Sequence, residues 1–211
     1  MIHKKKCTIL ANGKFPSHST PLKVLRESSY LLCLDGAVDK LISSNIDIIP
    51  DLIIGDMDSI SVDSKTKFSE IIKTNPNQNK NDLTKGLEWA IGEGFSEIQI
   101  LGSTGKREDH TIANIFNILE NNYNASINII SDYGKMEIVK NTKIIESFPG
   151  QQISFFAVDK NLKISTDGLK YELTNCKLDS LHSFSLNESL SQSFKIIIDS
   201  GQILLFSKYF K

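Results

Sequence analysis

The chain lacks most of what would place it outside a reducing, aqueous compartment. Its three cysteines, Cys7, Cys33 and Cys176, are odd in number and scattered, with no C-x-x-C pair. Neither a disulfide framework nor a thiolate zinc site is expected from them. Two lie in apolar runs, where reduced, buried thiols in a cytoplasm are the expectation. No apolar run approaches the roughly 18 residues that a membrane helix needs. Cys7–Ala11 is too short for a signal-peptide core and runs into Asn12-Gly13. An excess of one charge is missing too, since 24 basic residues against 25 acidic ones leave a net charge of −1. Lys4-Lys5-Lys6 reads as a short solvated run. No basic stripe interleaves with aromatics, so neither nucleic acid nor a membrane is an expected partner.

What is present suits a soluble globular chain of one large domain or two small ones: 211 residues, 40% hydrophobic and 23% charged. The first part alternates short apolar runs (Cys7–Ala11, Tyr30–Leu34, Leu52–Ile54, Ile98–Leu101, Ile127–Ile130) with helical patterns. The helical patterns fall near Leu22–Glu27, Ala37–Ser43, Ser64–Ile72, Asp82–Ile91 and Thr111–Asn121. That alternation predicts βαβ units, a mostly parallel, Rossmann-like sheet over residues 1–133. Beyond Tyr133 the runs Ile144–Ile145, Ile153–Val158, Leu162–Ile164, Leu169–Leu173, Phe194–Ile198 and Gln202–Phe206 have no helix between them. Residues 134–211 therefore read as an all-β sandwich domain.

Four segments end a strand or open a helix, where ligands bind in open α/β sheets. In Pro50-Asp51-Leu52-Ile53-Ile54-Gly55-Asp56-Met57-Asp58-Ser59 an apolar run delivers a D-x-D pair. On extended backbone residues i and i+2 share a face, so Asp56 and Asp58 can converge on one cation. Hard oxygen donors of this kind suit Mg²⁺. The plain alternative is an acidic turn with Asp58 or Ser59 as an N-cap. In Asp35-Gly36-Ala37, Asp35 suits a ribose or substrate hydroxyl, or else a helix cap, and Gly36 permits close backbone approach. Asn77-Gln78-Asn79-Lys80-Asn81-Asp82-Leu83-Thr84-Lys85 opens the helix that carries Trp89, a core candidate. Asp82 and Lys85 share a helical face there, either as a metal carboxylate beside a phosphate-binding ammonium or as a surface ion pair. In Gly102-Ser103-Thr104-Gly105-Lys106-Arg107-Glu108-Asp109-His110 two glycines make an anion cradle and Arg107 a fork-shaped clamp. It is not a Walker A loop. His110, with no second His or Cys at ligand spacing, is assigned to orienting a neighbour or capping the helix.

Taken together, the four segments resemble thiamine pyrophosphokinases. That family shows D-G-A, P-D-x-I-x-G-D-x-D-S, D-Q-x-x-T-D-x-x-K and G-x-x-G-x-R-x-D-H in this order. Gly168-Leu169-Lys170-Tyr171-Glu172-Leu173 matches its C-terminal G-L-x-[WY]-x-L signature. The chain departs from the pattern at Asn77, Asn81, Lys106 and Leu186. The resemblance implies transfer of a diphosphoryl group from ATP to thiamine, with AMP as the other product. It implies Mg²⁺ held by Asp56, Asp58 and Asp82, and catalysis by these with Arg107 and Asp109. It also implies nucleotide contacts from Asp35, Gly36, Gln78, Lys85, Gly102, Gly105 and Arg107. Thiamine contacts fall to Asp109, His110, Tyr171 and Asn187, with sandwich core as the alternative for Tyr171. A homodimer with shared sites completes the expectation. Two other readings remain at this point. One is a haloacid dehalogenase-like phosphatase, whose D-x-D strand comes first in its sheet; the other is a non-catalytic nucleotide-binding module.

Overall fold

The computed structural model describes residues 5–180 and 184–210, so Lys4 of the basic run lies outside them. The chain separates into two compact units, Met1–Ile118 with Asn122–Asp132, and Leu119–Asn121 with Tyr133–Lys211.

The first unit is built from β1 (Lys6–Leu10), α1 (Ser19–Arg26), β2 (Leu31–Leu34), α2 (Ala37–Ser43), β3 (Leu52–Gly55), α3 (Val62–Lys67), β4 (Ile72–Thr74), α4 (Asp82–Gly92), β5 (Glu97–Leu101), α5 (Glu108–Glu120) and β6 (Ser126–Ile130). Its strands pair in the order β6-β5-β1-β2-β3-β4, and every pair is parallel. Parallel strands covered on both faces need continuous apolar runs. Leu31-Leu32-Cys33-Leu34 is buried throughout, as are Ile53 and Ile54. Each such large side chain contributes about 1.5–3 kcal/mol by leaving water. The sheet reverses direction at β1, with β2 on one side and β5 on the other. The Rossmann-like expectation therefore holds only as a parallel α/β sheet with a switch point. Four strands, β1 to β4, run outward on one side, where the dinucleotide fold has three.

The predicted helix Ser64–Ile72 is two shorter pieces. Helix α3 ends at Lys67, a single 3₁₀ turn covers Ser69–Ile71, and Ile72 already opens the edge strand β4. Trp89 is half-buried, stacked 5.8 Å from the Tyr30 ring and 6.1 Å from Phe95.

The second unit contains β7 (Gly134–Val139), β8 (Lys143–Glu146), β9 (Gln152–Phe156), β10 (Lys163–Asp167), β11 (Cys176–Lys177), β12 (Asn187–Glu188), β13 (Ser193–Ile198) and β14 (Ile203–Lys208). They form two antiparallel sheets, β12-β9-β14-β7 and β11-β10-β13-β8. Strict alternation in β13 buries Phe194, Ile196 and Ile198. These meet Ile153, Phe155, Ile203 and Leu205 of the other sheet in one core. The predicted strand Leu169–Leu173 is instead a bend after Gly168, which has φ +99°. The Glu172 carboxylate accepts from the N–H groups of Gly168 and Leu169 and from the Thr166 hydroxyl. Local side-chain bonds have displaced the ladder there.

No helix among the described residues is long and apolar enough to cross a membrane. Cys7, Cys33 and Cys176 are free, the first two buried.

Candidate active site

Because all strands of the first unit run parallel, their carboxyl ends lie on one edge. Each of the four sequence segments follows one of those ends or opens the helix that comes next. Together they line a cleft of about 560 Å³, within the usual range for small-molecule sites.

The acidic side of the cleft depends on close backbone approach. Asp35 follows β2 with φ +44°, a left-handed conformation uncommon outside glycine. A Cβ at Gly55 would stand 2.8 Å from the Asp35 Cβ, so only glycine lets the end of β3 pass beside it. A Cβ at Gly36 would meet the Ser59 carbonyl at 2.6 Å. Gly36 thus makes room for the loop after β3 and does not itself line the cleft. It is also the N-cap position of α2, without a side-chain bond. Asp35 therefore does not cap a helix: its Oδ2 accepts from Ser59 N–H at 3.1 Å.

The D-x-D pair converges by a different route from the one expected. Met57 has φ +67°, so the chain turns between the two carboxylates, and Asp58 N–H faces Asp56 Oδ1 at 3.4 Å. The N-cap of α3 is Ser61, which removes the capping alternative for Asp58 and Ser59. Oxygens of Asp35, Asp56 and Asp58 all lie within 4.8 Å of one another. Burial pushes the Asp35 carboxyl up to about 6. The Ser59 hydroxyl, and then Asp35, hold Asp58 below the usual carboxylate range. Asp51 stands at the opposite end of β3, where its carboxylate accepts from Leu31 N–H at 2.7 Å and fixes the β2–β3 register.

Asp82 is not part of that carboxylate group. It is bound by Lys85 Nζ at 3.0 Å, and the same ammonium lies 3.8 Å from Asp56. Lys85 is only 3% exposed, so the surface ion pair is excluded, and a buried cation bridges two acids of the cleft. Above them the asparagine-rich segment is a series of side-chain turns, with Asn77 N–H donating to Asn75 Oδ1 and Asn79 N–H to Asn77 Oδ1. These turns set Gln78 Nε2 3.3 Å from Asp56 Oδ2.

The opposite wall is made by two loops fastened together. Gly13 N–H donates to the Gly102 carbonyl at 2.7 Å and Lys14 N–H to that of Thr104 at 2.8 Å. A Cβ at Gly13 would sit 2.3 Å from the Gly102 oxygen. Behind them Lys40 Nζ donates to the carbonyls of Asn12 and Gly13. Gly102 lines the cleft with Arg107 and His110, whereas Gly105 and Asp109 do not. His110 is exposed in the first turn of α5. Arg107 and Asp109 form an exposed two-armed ion pair, Nη2–Oδ2 2.6 Å and Nε–Oδ1 3.0 Å. The guanidinium holds the Asp109 carboxyl below its usual range.

Sequence reasoning missed the connection between these walls. Asn81 caps α4 through Oδ1, which accepts from Thr84 N–H and the Thr84 hydroxyl, and its Nδ2 donates to Asn114 Oδ1 at 3.1 Å. Asn114 Nδ2 in turn donates to the Ser103 carbonyl at 2.9 Å. Nothing in the local pattern announces a chain of bonds across 33 residues.

Two predicted residues lie in the second unit. Tyr171 is 60% exposed, which overturns the sandwich-core alternative. The Asn187 amide is occupied locally: Oδ1 accepts from Tyr171 and Glu188 N–H, and Nδ2 donates to the Tyr171 carbonyl at 2.7 Å. It fixes the bend that presents Tyr171.

Comparison with known proteins gives the same family for both units. A thiamin pyrophosphokinase catalytic-domain model matches residues 22–131, and a thiamin pyrophosphokinase substrate-binding-domain model matches residues 134–206. The chain is 24% identical over 194 residues to Thiamin pyrophosphokinase 1 of Caenorhabditis elegans, covering 86% of this chain and 79% of the relative. In fold it is similar to the crystal structure of thiamine pyrophosphokinase from Bacillus subtilis, with TM-score 0.78, 22% identity, and coverage of 97% and 99% of the two chains. Thiamin pyrophosphokinase from Candida albicans gives TM-score 0.81 at 18% identity, over 98% of this chain and 90% of that one. With both halves of the sequence matched, the chain belongs to the thiamin pyrophosphokinase family of kinases.

Proposed function

We propose that the cleft transfers the diphosphoryl group of ATP to the hydroxyethyl oxygen of thiamine, forming thiamine diphosphate and AMP. The observation that carries this reading is the meeting, in one cleft, of a carboxylate group and a buried lysine with a glycine loop ending in Arg107. Three carboxylate oxygens within 4.8 Å, one from a buried residue, suit a hard divalent cation. Asp56 and Asp58, with Asp35 beside them, would hold Mg²⁺, whose chemistry is to neutralise charge on the triphosphate. Asp82, expected from sequence as a third ligand, is tied to Lys85 outside that group.

The remaining work falls to side chains. Lys85 compensates the charge of Asp56 and Asp82 and holds the two acids in place. Gln78 orients Asp56. The Gly102 loop and Arg107 grip phosphoryl oxygens, and positioning of this kind supplies most of the catalysis in phosphoryl-group transfer. The alcohol oxygen bonds to the β-phosphorus as the bond to the α-phosphate oxygen breaks, and AMP departs with that electron pair. Asp109 receives the hydroxyl proton. While paired with Arg107 it is a poor base; a switch of the guanidinium from carboxylate to phosphate frees it and raises its basicity. Proton acceptance would then be tied to nucleotide binding. Asp35 and Gly36 shape the acidic wall, Gly105 turns the loop, and His110 and Tyr171 are assigned to thiamine, with Asn187 supporting Tyr171.

Assay of the purified protein with ATP, Mg²⁺ and thiamine should yield AMP and thiamine diphosphate in equal amounts. Stoichiometric ADP would make this an ordinary kinase. Phosphate release without thiamine would favour the phosphatase reading, which the position of β3 after two earlier strands already disfavours.

The reading extends to a cytoplasmic homodimer whose sites draw on both copies. Co-expression of Asp56→Asn with a second-unit variant should restore activity through the one intact site of the heterodimer. Tyr171→Ala suits this better than Asn187→Ala, because its ring is exposed and its loss leaves the fold alone. If Tyr171→Ala is inactive by itself and confirmed heterodimers stay inactive, the sites are not shared.

A further inference from the structure

Two residues lining the cleft carry a buried polar atom without a hydrogen-bond partner among the described residues: Asp35, through Oδ1, and Ser103, through Oγ. Asp35 belongs to the carboxylate group above. Ser103 has so far entered only through its carbonyl, and its hydroxyl has no role. It follows Gly102 at the carboxyl end of β5 and is 4% exposed. A desolvated hydroxyl without a partner is destabilising, and such groups in native proteins call for an explanation.

Its surroundings indicate what the partner is. The backbone of Ser103 cannot move freely, because its carbonyl is held by Asn114, itself held by the Asn81 cap of α4. Ser103 thus stands in the cleft lining on a clamped loop, between Gly102 and the cations Lys106 and Arg107, its buried hydroxyl still without a partner among the described residues. A wall with cations next to it and a lone O–H donor in it fits an anionic oxygen acceptor. We propose that Ser103 Oγ donates to a non-bridging phosphoryl oxygen of the nucleotide, and that Asn114 is the positioning residue that holds it there. The proposal rests on the assignment of this cleft to ATP and adds a contact outside the glycines and Arg107.

The test is binding of a non-hydrolysable ATP analogue with Mg²⁺, by calorimetry, without thiamine. Ser103→Ala should weaken binding about tenfold, the scale of one hydrogen bond to a charged group. It should also leave the unfolding temperature of the ligand-free protein unchanged or raised, because it deletes an unsatisfied group. A merely structural serine would do the reverse, lowering the unfolding temperature with affinity intact. Asn114→Asp keeps the acceptor for Asn81 and removes the donor to Ser103. It should weaken the analogue several-fold in the natural protein and add little on top of Ser103→Ala, since residues acting as a unit are non-additive. Analogue affinity within twofold of the natural protein for Ser103→Ala overturns the proposal and leaves the ATP assignment standing. Absence of analogue binding by the natural protein overturns both.

Discussion

Replacing Asp56 or Asp58 with asparagine should lower thiamine diphosphate formation by on the order of 100-fold or more while the protein stays folded. Loss of one charge contact realised in a transition state has about this effect. Neither carboxylate carries the fold: Asp58 is exposed, and its bond from the Ser59 hydroxyl can be kept by the asparagine carbonyl. Asp56 accepts from Gln78 at 3.3 Å, which an amide oxygen also allows, and the buried Lys85, 3.8 Å from Asp56, keeps its nearer partner Asp82 at 3.0 Å. The measurement is initial rate together with thermal unfolding. Near-natural turnover for both variants would remove the carboxylate group from the chemistry.

Lys85→Met should be the second large effect, and it should differ in kind. The side chain is buried and bridges Asp82 at 3.0 Å and Asp56 at 3.8 Å. Removing one partner of a fully buried pair typically costs about 3–5 kcal/mol. Both acids here are partly open to solvent, so a loss of roughly 2 kcal/mol is expected after that discount. Activity should fall on the order of 100-fold, since two acids that the ammonium held in place now repel each other across the cleft. Denaturant unfolding and initial rates separate the two effects. A Lys85→Met protein as stable and active as the natural one would show that the bridge is incidental.

The parts of this arrangement that sequence made visible are those carried by continuous patterns. Leu52-Ile53-Ile54 announces a buried strand, and because every strand of the first unit is parallel, the ends of such runs mark one ligand-binding edge. Edge strand β4 did not show itself, because Ile72-Lys73-Thr74 is three residues long and mostly solvated. The bend at Leu169–Leu173 reads as a strand until Glu172 is seen to cap it. At the site, the order of the acids was legible but not their geometry. Asp56 and Asp58 meet through the left-handed turn at Met57 and not along an extended strand. The burial of Lys85, the membership of Asp35 in the carboxylate group and the Asn81–Asn114–Ser103 chain all depend on contacts remote in sequence, which no local period encodes.

The central claim is attack at the β-phosphorus, and ATP labelled at that phosphorus tests it most directly. Incubated with thiamine and Mg²⁺, the label should appear in thiamine diphosphate, equal in amount to the AMP formed and dependent on Asp58. Label that stays in ADP, or that leaves as inorganic phosphate without thiamine, would contradict diphosphoryl transfer by this cleft.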